Sequence, residues 1–499
     1  MRSVWRLSSV TVAVLALASP ALGKLTLYEG DLGEVATSGF LRVQTDIHTG
    51  EQNPNNRPLG RGNNRLQLFR QWALVDAQWQ TPWHSLKFFT RTRIWSDTTE
   101  EADDNLTPYD AFPTHYHGDG WFLRASSDTK AIELWEAWAD YNEQNWWFRV
   151  GRQTIVWGDV APTRLLDDIN PLDLSWHLVL EPLGKEVFDQ LRIPIWAARG
   201  SYSLPFAPDF QLEGYVSPDE FAFVSTQLPA PGSPLSVIGL PPFIKLRDDI
   251  KNGQKGVSGG VRFLGTIRGL SFTVNWLNRH NGDGVTVFES FTPDRTSPIG
   301  GILRLRERHP RFNTVGASLN YFEAMTKAVA RLEFAWDIAR PWESPDTMNS
   351  RVIRRHQYGY AIAIDRPSFI IRRDRTALIT LQFEQRFRER ADDTPRIGIA
   401  GAPVDPHSEV ITLLFDQPFR GFGGRYDEFF LDFALLANTS DAYAFVPLFR
   451  YEPGNHWRLN LWYNHFSGPF SAPITGPTPG GFGSMTWANG ANMSVSYQF

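Results

Sequence analysis

The chain closes on ANMSVSYQF, residues 491–499. Met493, Val495, Tyr497 and Phe499 share one parity; Asn492, Ser494, Ser496 and Gln498 share the other. Successive side chains of a strand point to opposite faces, so this segment reads as a strand with one apolar and one polar face. Chain ends are usually loose unless tied down, and such regularity implies a partner along the whole strand. The pattern recurs upstream. In FLRVQTDIH (40–48), Leu41, Val43, Thr45 and Ile47 oppose Arg42, Gln44, Asp46 and His48. VARLEFAWD (329–337), ALITLQFEQR (377–386), EFFLDFALL (428–436) and WRLNLWYN (457–464) repeat it. Helical spacing would scatter those charges around a cylinder, so the chain reads as all-β.

At the other end, Arg2 and Arg6 precede an apolar run and Ala21-Leu22-Gly23. This is the pattern of a cleaved secretory signal peptide over 1–23, leaving 24–499 as the mature chain; an N-terminal anchor helix is the alternative. No later segment resembles a transmembrane helix, since the uncharged stretch 221–244 carries Pro229, Pro231, Pro234, Pro241 and Pro242. The 499 residues hold no Cys, which excludes a disulfide framework and thiolate chemistry. A net charge of −5 without a basic tract gives no footprint for nucleic acid. Mean hydropathy of −0.31 looks soluble, as a transmembrane barrel also does, because its lumen half is polar.

Connections are of two sorts. TPWHS (81–85), NEQN (142–145) and EPGNH (452–456) are tight, whereas 97–130, 158–192, 217–254, 279–310, 338–355, 389–407 and 466–487 are long. Short periplasmic turns and long extracellular loops are the asymmetry of a transmembrane antiparallel barrel. The sequence predicts one closed barrel of about 18 strands, with 16 as the next choice, in a single domain. Trp79, Trp95, Tyr141, Trp457 and Tyr463 are expected in aromatic girdles at the two interfaces. Backbone in lipid must be satisfied inside the sheet, so the last strand is expected to pair with the first, around Phe40–His48.

The middle of the chain reads FRVGRQTIVWGDVAPTRLLDDINPLDLSW and then DQLRIPIWAARGSY. Gly151-Arg152-Gln153, Trp157-Gly158, Ile169-Asn170-Pro171-Leu172-Asp173 and Arg192-Ile193-Pro194-Ile195-Trp196 resemble a family of Gram-negative outer-membrane proteins catalogued as a domain of unknown function. Some members are encoded beside hydrophobe exporters of the resistance-nodulation-division type or in lipid and steroid gene clusters. The resemblance implies a barrel in the outer membrane and leaves its cargo open. The chain end is also similar to the signal read by the barrel-insertion machinery, carried here by Asn492, Ser494, Tyr497 and Phe499.

Loop 158–191 is rich in Leu, Ile and Trp, and each such side chain left in water forgoes about 1.5–3 kcal/mol of burial. One or two loops, this one and 221–244, are therefore expected to fold inward and constrict the lumen. Concave apolar surface with a few polar anchors suits a hydrophobic or amphipathic ligand. The candidate binding or gating residues are Arg152, Gln153, Trp157, Asp168, Asn170, Asp173, Trp176, Leu178, Leu180, Arg192, Trp196 and Phe243. Arg152 is a candidate partner of Asp168 or Asp173, a set expected first to staple the loop to the wall, with direct ligand contact as the second reading. Arg149 and Arg152, three apart, cannot both face the lumen of a regular strand, so a bulge or membrane edge is expected there. Arg42, Arg91, Arg93, Arg199, Arg262 and Arg331 read as lumen-facing, interleaved with Glu136, Glu333 and Glu384.

The leading expectation is a monomeric outer-membrane channel for lipid-, steroid- or hydrocarbon-like molecules, needing no cofactor or metal and meeting outer-membrane lipid and lipopolysaccharide. A weakly selective porin for small hydrophilic solutes is the alternative, which a large constant open current would favour. A lipid hydrolase needs a strand-borne Ser–His pair that the sequence does not offer beyond His84-Ser85 at a turn. His115-Tyr116-His117 and the pairs Asp103-Asp104, Asp248-Asp249 and Asp392-Asp393 read as solvated loop residues. Polar substitution at Leu178, Leu180 and Phe243 together is expected to weaken hydrophobe binding in a purified-protein assay while the barrel stays folded.

Overall fold

A computed structural model describes residues 25–50, 53, 66–83, 85–102, 124–126, 129–160, 164–174, 191–227, 229, 234–235, 243–248, 256–344, 351–390, 396–397, 402–403, 406–421, 427–438, 442–468 and 485–499. Trp176, Leu178, Leu180, His84 and His115–His117 lie outside the described residues, as do both members of the pairs at 103–104 and 392–393 and the predicted signal segment.

The chain begins with β1 (Leu25–Gly30) and β2 (Gly33–His48), then β3 (Leu66–Gln80), β4 (Leu86–Asp97), β5 (Arg124–Ser126), β6 (Lys130–Glu143) and β7 (Trp146–Gln153). It continues through β8 (Ile195–Leu204), β9 (Ala207–Pro218), β10 (Ile244–Asp248), β11 (Val257–Ile267) and β12 (Leu270–His280). Next come β13 (Val285–Pro293), β14 (Gly301–Arg308), β15 (Arg311–Glu323), β16 (Ala328–Glu343), β17 (Val352–Ser368) and β18 (Ala377–Arg388). The last are β19 (Arg396–Ile397), β20 (Ala402–Pro403), β21 (His407–Arg420), β22 (Asp427–Ala437), β23 (Tyr443–Pro453), β24 (Trp457–Ser467) and β25 (Gly490–Gln498).

Eighteen of these strands form one antiparallel ring. Short β1, β5, β19 and β20 extend it at its ends. Closure is where the sequence placed it: β25 pairs with β2 from Phe40↔Gln498 to His48↔Gly490, and with β24 on its other side. Gly39 and Phe499 exchange both main-chain hydrogen bonds at 2.9 Å, so the final residue is held in the ladder. Across the seam Arg42 Nε donates to Ser496 Oγ at 2.7 Å.

The alternation sorts side chains as expected. Val43, Val150, Val261, Ile362, Leu461 and Met493 are exposed on the outer face. Their opposite-parity neighbours are buried or half-buried and largely ion-paired: Arg91 with Asp76, Arg93 with Glu133, Arg199 and Arg262 with Glu213, Arg331 with Asp365. An apolar outer belt over a closed ladder is stable in hydrocarbon, where every main-chain group must find its partner within the sheet.

Three expectations need correction. Trp95 belongs to no girdle; it shares the parity of Arg91 and Arg93, is buried beside Trp72, and has Arg70 5.3 Å from its ring centre. Segment 338–355 is mostly strand, because β16 runs to Glu343 and β17 starts at Val352. Long connection 279–310 holds β13 and β14, which with β10 make a separate three-stranded sheet. At eight and five residues β14 and β10 are short for a membrane crossing, which takes about 9–11, and among the described strands the nine-residue β13 pairs only with β14.

Val495 pairs with both Val43 and Leu459. Val495→Pro deletes a ladder donor, and an unsatisfied group in lipid costs on the order of several kcal/mol. The variant is expected to lose the heat-modifiable band of a closed barrel in gel electrophoresis.

Candidate functional site in the inward loops

The segment after β7 turns inward at Ile155, and one buried carboxamide holds both ends of the turn. Ile155 N donates to Asn170 Oδ1 at 2.8 Å, and Asn170 Nδ2 donates to the Ile193 carbonyl at 2.7 Å. Gln153 Nε2 donates to the Ala197 carbonyl at 2.9 Å. Trp157 Nε1 donates to Glu213 Oε1 at 2.8 Å, on a carboxylate that also receives Arg199 and Arg262. Further in, the main-chain N–H groups of Asp159 and Val160 donate to Glu333 on β16.

Each of the acidic residues singled out in the loop meets an arginine. Arg93 on β4 reaches Asp173 at 3.0 Å, and Arg279 on β12 reaches Asp168 at 2.5 Å. The neighbouring Asp167 accepts from Arg192 Nε at 2.6 Å. Arg152 is enclosed, 1% exposed, with its guanidinium 5.5 Å from the centre of the Trp135 ring. Arg93 approaches the same ring at 3.7 Å. Arg149 pairs with Asp140 at 2.6 Å. Gly151 between the two arginines has φ +133°, a conformation that breaks regular alternation and supplies the irregularity expected there.

The two adjacent carboxyls differ electrostatically. Burial pushes Asp167 up, against the pull of Arg164 and Arg192. Burial also opposes ionisation of Asp168, but Arg279, Arg164, Arg340 and Arg386 outweigh it and hold this carboxyl below the usual range. The Asp168–Arg279 link is therefore fully present above the ordinary carboxylate value and fades only as pH falls through the lowered one.

Apolar packing follows the polar staples. Leu165 and Leu166 lie with Val160 against Ala335 and Ala361; Ile155, Trp157 and Ile169 lie with Ile195, Ala197, Tyr215 and Leu277. Wall glycines make the room. A Cβ at Gly316 would run into Leu166, one at Gly359 would lie 2.5 Å from Leu165 Cδ1, and one at Gly260 3.0 Å from Trp157 Cζ3.

The second loop leaves β9 through a one-turn helix, Asp219–Ala222, whose Asp219 accepts from Arg311 Nη1 at 2.5 Å. Val224 joins Trp135 and Ile193. The two loops are sewn together: Gln227 N donates to the Leu172 carbonyl and Leu174 N to the Gln227 carbonyl, both at 2.8 Å. On the far side of the ring from β9, Leu235 packs among Leu436, Val446 and Trp462. Phe243 leads into β10, its carbonyl accepting from Leu303 N at 2.9 Å, and Trp196 lies opposite Arg152 on β8.

Arg152, Gln153, Trp157, Asp168, Asn170, Asp173 and Arg192 thus gather where the first loop meets the wall, and their bonds serve chiefly to fix the loop, whereas Phe243 lies apart beside the separate sheet and Trp196 shares the parity of exposed Ala198. Sequence reasoning missed an apolar sector of the inner wall. On β21–β24 the residues opposite in parity to outward Ile411, Leu431, Phe445 and Leu461 are Val410, Ala434, Leu436, Ala444, Val446, Leu448 and Trp462. The signal was present, since EFFLDFALL is apolar on both parities from Phe433 to Leu436.

Gly316→Val is expected to keep the barrel and displace the loop, at about 1–3 kcal/mol of overpacking. Limited proteolysis of the folded variant checks this, with faster cleavage between 154 and 194 as the outcome.

Solved structures of similar fold include Acinetobacter baumannii OccAB1, with 9% identity over 95% of this chain and 98% of that one, at a TM-score of 0.47. Acinetobacter baumannii OccAB3 shares 7% over 93% and 99% at 0.46, and Pseudomonas aeruginosa OccK5 (OpdH) 10% over 94% and 99% at 0.45. No curated protein matches the sequence. The family described as "Protein of unknown function (DUF1302)" matches residues 4–341, which include β2–β15, the whole first inward loop and the 151–153, 157–158, 169–173 and 192–196 motifs. The chain belongs to that family.

Proposed function

We propose that the protein is an outer-membrane channel that binds and passes hydrophobic or amphipathic small molecules of lipid, steroid or hydrocarbon type. The apolar inner sector of β21–β24 carries this reading. Leu436, Val446, Leu448 and Trp462 are buried in this structure, and an apolar guest that displaced their cover would restore burial worth about 25 cal/mol per Å², a gain for which a pore for hydrophilic solutes has no use. Leu235 of the second loop already covers part of this surface. A guest that competes for the same wall would displace that loop, and the hydrogen bonds between Leu172, Leu174 and Gln227 would carry the movement to the first. Arg279, Arg340 and Arg386 near Asp168 are paired with Asp168, Asp337 and Glu384, so the charged end of an amphiphile would bind there by exchange with one of these carboxylates. Tyr497 and Phe499 are the residues through which the insertion machinery would place the barrel.

Val446→Asn with Leu448→Gln tests the reading. In proteoliposomes the double variant is expected to move a hydrophobic fluorescent probe about tenfold more slowly, the equivalent of roughly 1.4 kcal/mol. Ionic conductance should be unchanged. Equal probe flux in variant and parent, with the barrel intact by heat-modifiability, would remove the apolar sector from the mechanism.

A further inference from the structure

Asp46 on β2 is wholly buried on the lumen side of the closure seam, and neither carboxylate oxygen has a hydrogen-bond partner. Other buried carboxylates of the lumen wall and its loops, among them Asp97, Glu133, Asp173 and Glu384, meet arginines. Two carboxamides share its neighbourhood. Asn492 of β25 stands directly opposite Asp46, and Asn464 of β24 stands opposite Gly490. Gly490 bridges the set: a Cβ there would collide with Asp46 Oδ1, so only glycine lets the carboxylate lean over β25 toward β24. Asn464 is also wholly buried with neither its Oδ1 nor its Nδ2 partnered, and Asn492 Oδ1 is unpartnered although its Nδ2 donates to the Gly490 carbonyl.

Protonating Asp46 resolves this only in part. A carboxylic acid has one O–H, so it could donate to one of the two carboxamide oxygens and would leave the other open. A guest that takes lone pairs from three strands at once answers the open oxygens of Asp46, Asn464 and Asn492 together and leaves Asn464 Nδ2 as a donor, and buried polar groups ordinarily have such partners. We propose that Asp46, Asn464 and Asn492 form a cation site at the barrel seam, joining β2, β25 and β24 through one bound hard ion. An all-oxygen donor set selects a sodium- or calcium-like ion over zinc or copper. Among the described residues no group of three or more His, Cys, Asp or Glu suits a transition metal. The site is independent of the transport reading, because it lies in the ladder that closes the barrel and not in the inward loops.

The test uses the full-length barrel in detergent at constant ionic strength, with choline chloride as reference and sodium or calcium chloride replacing part of it. Thermal unfolding is followed by loss of the heat-modifiable form, and binding by isothermal titration with each salt. One of the two ions is expected to raise the midpoint saturably with one ion bound per chain, which also says which ion is native. Asp46→Asn keeps the shape, is expected to unfold higher than the parent in choline, and should lose the ion response at least tenfold. Gly490→Ala, which pushes the carboxylate away, should weaken the response while Asp46 is kept. No ion response in the parent, or the same response in Asp46→Asn, would overturn the site and leave trapped water as the occupant.

Discussion

A main chain in hydrocarbon cannot leave an N–H or C=O unpaired, and the rest of the structure depends on that constraint. It forbids a sheet with margins, so the first and last ring strands must meet, and it makes the final residue part of the ladder. It also fixes the alternation. Once the ring closes, one parity faces lipid and the other an enclosed space, and side-chain chemistry has no other freedom. The paired arginines and carboxylates of the lumen follow from that partition, because a charge withdrawn from water needs a partner close by.

The inward loops answer a second requirement. Loop 154–194 is apolar enough to leave water, yet its main chain carries polar groups that β-pairing does not serve. Asn170, Glu333 and Gln227 satisfy them at chosen points, while wall glycines at 260, 316 and 359 receive the side chains. The loop is thus fitted to the wall by local chemistry on strands distant in sequence. This is why Arg93, Glu213, Arg279 and Glu333 matter as much as the loop's own residues.

Much of the fold was legible because a period of two is a local property. Strands 40–48 and 491–499 announce their faces residue by residue, and closure follows from physics without further information. Trp95 was misread because its aromatic character was weighed above its parity with Arg93. Strands β13 and β14 escaped notice because off-ring pairing depends on length and on a partner in another loop. The inward turn at 154–194 was visible in its leucines. Its anchors were not, since Asp168 meets Arg279 and Asp173 meets Arg93 over separations that no spacing rule encodes. The apolar inner wall was hidden by reading only one face of β22.

The small outer sheet has a mechanical implication. Parallel pairing of β10 with β14 couples the connection between β9 and β11 to the one between β12 and β15, five residues deep. These two excursions are therefore tied to each other by a ladder of main-chain hydrogen bonds. A force on either is shared by both, and Gln227 passes it on to Leu172 and Leu174 of the first loop.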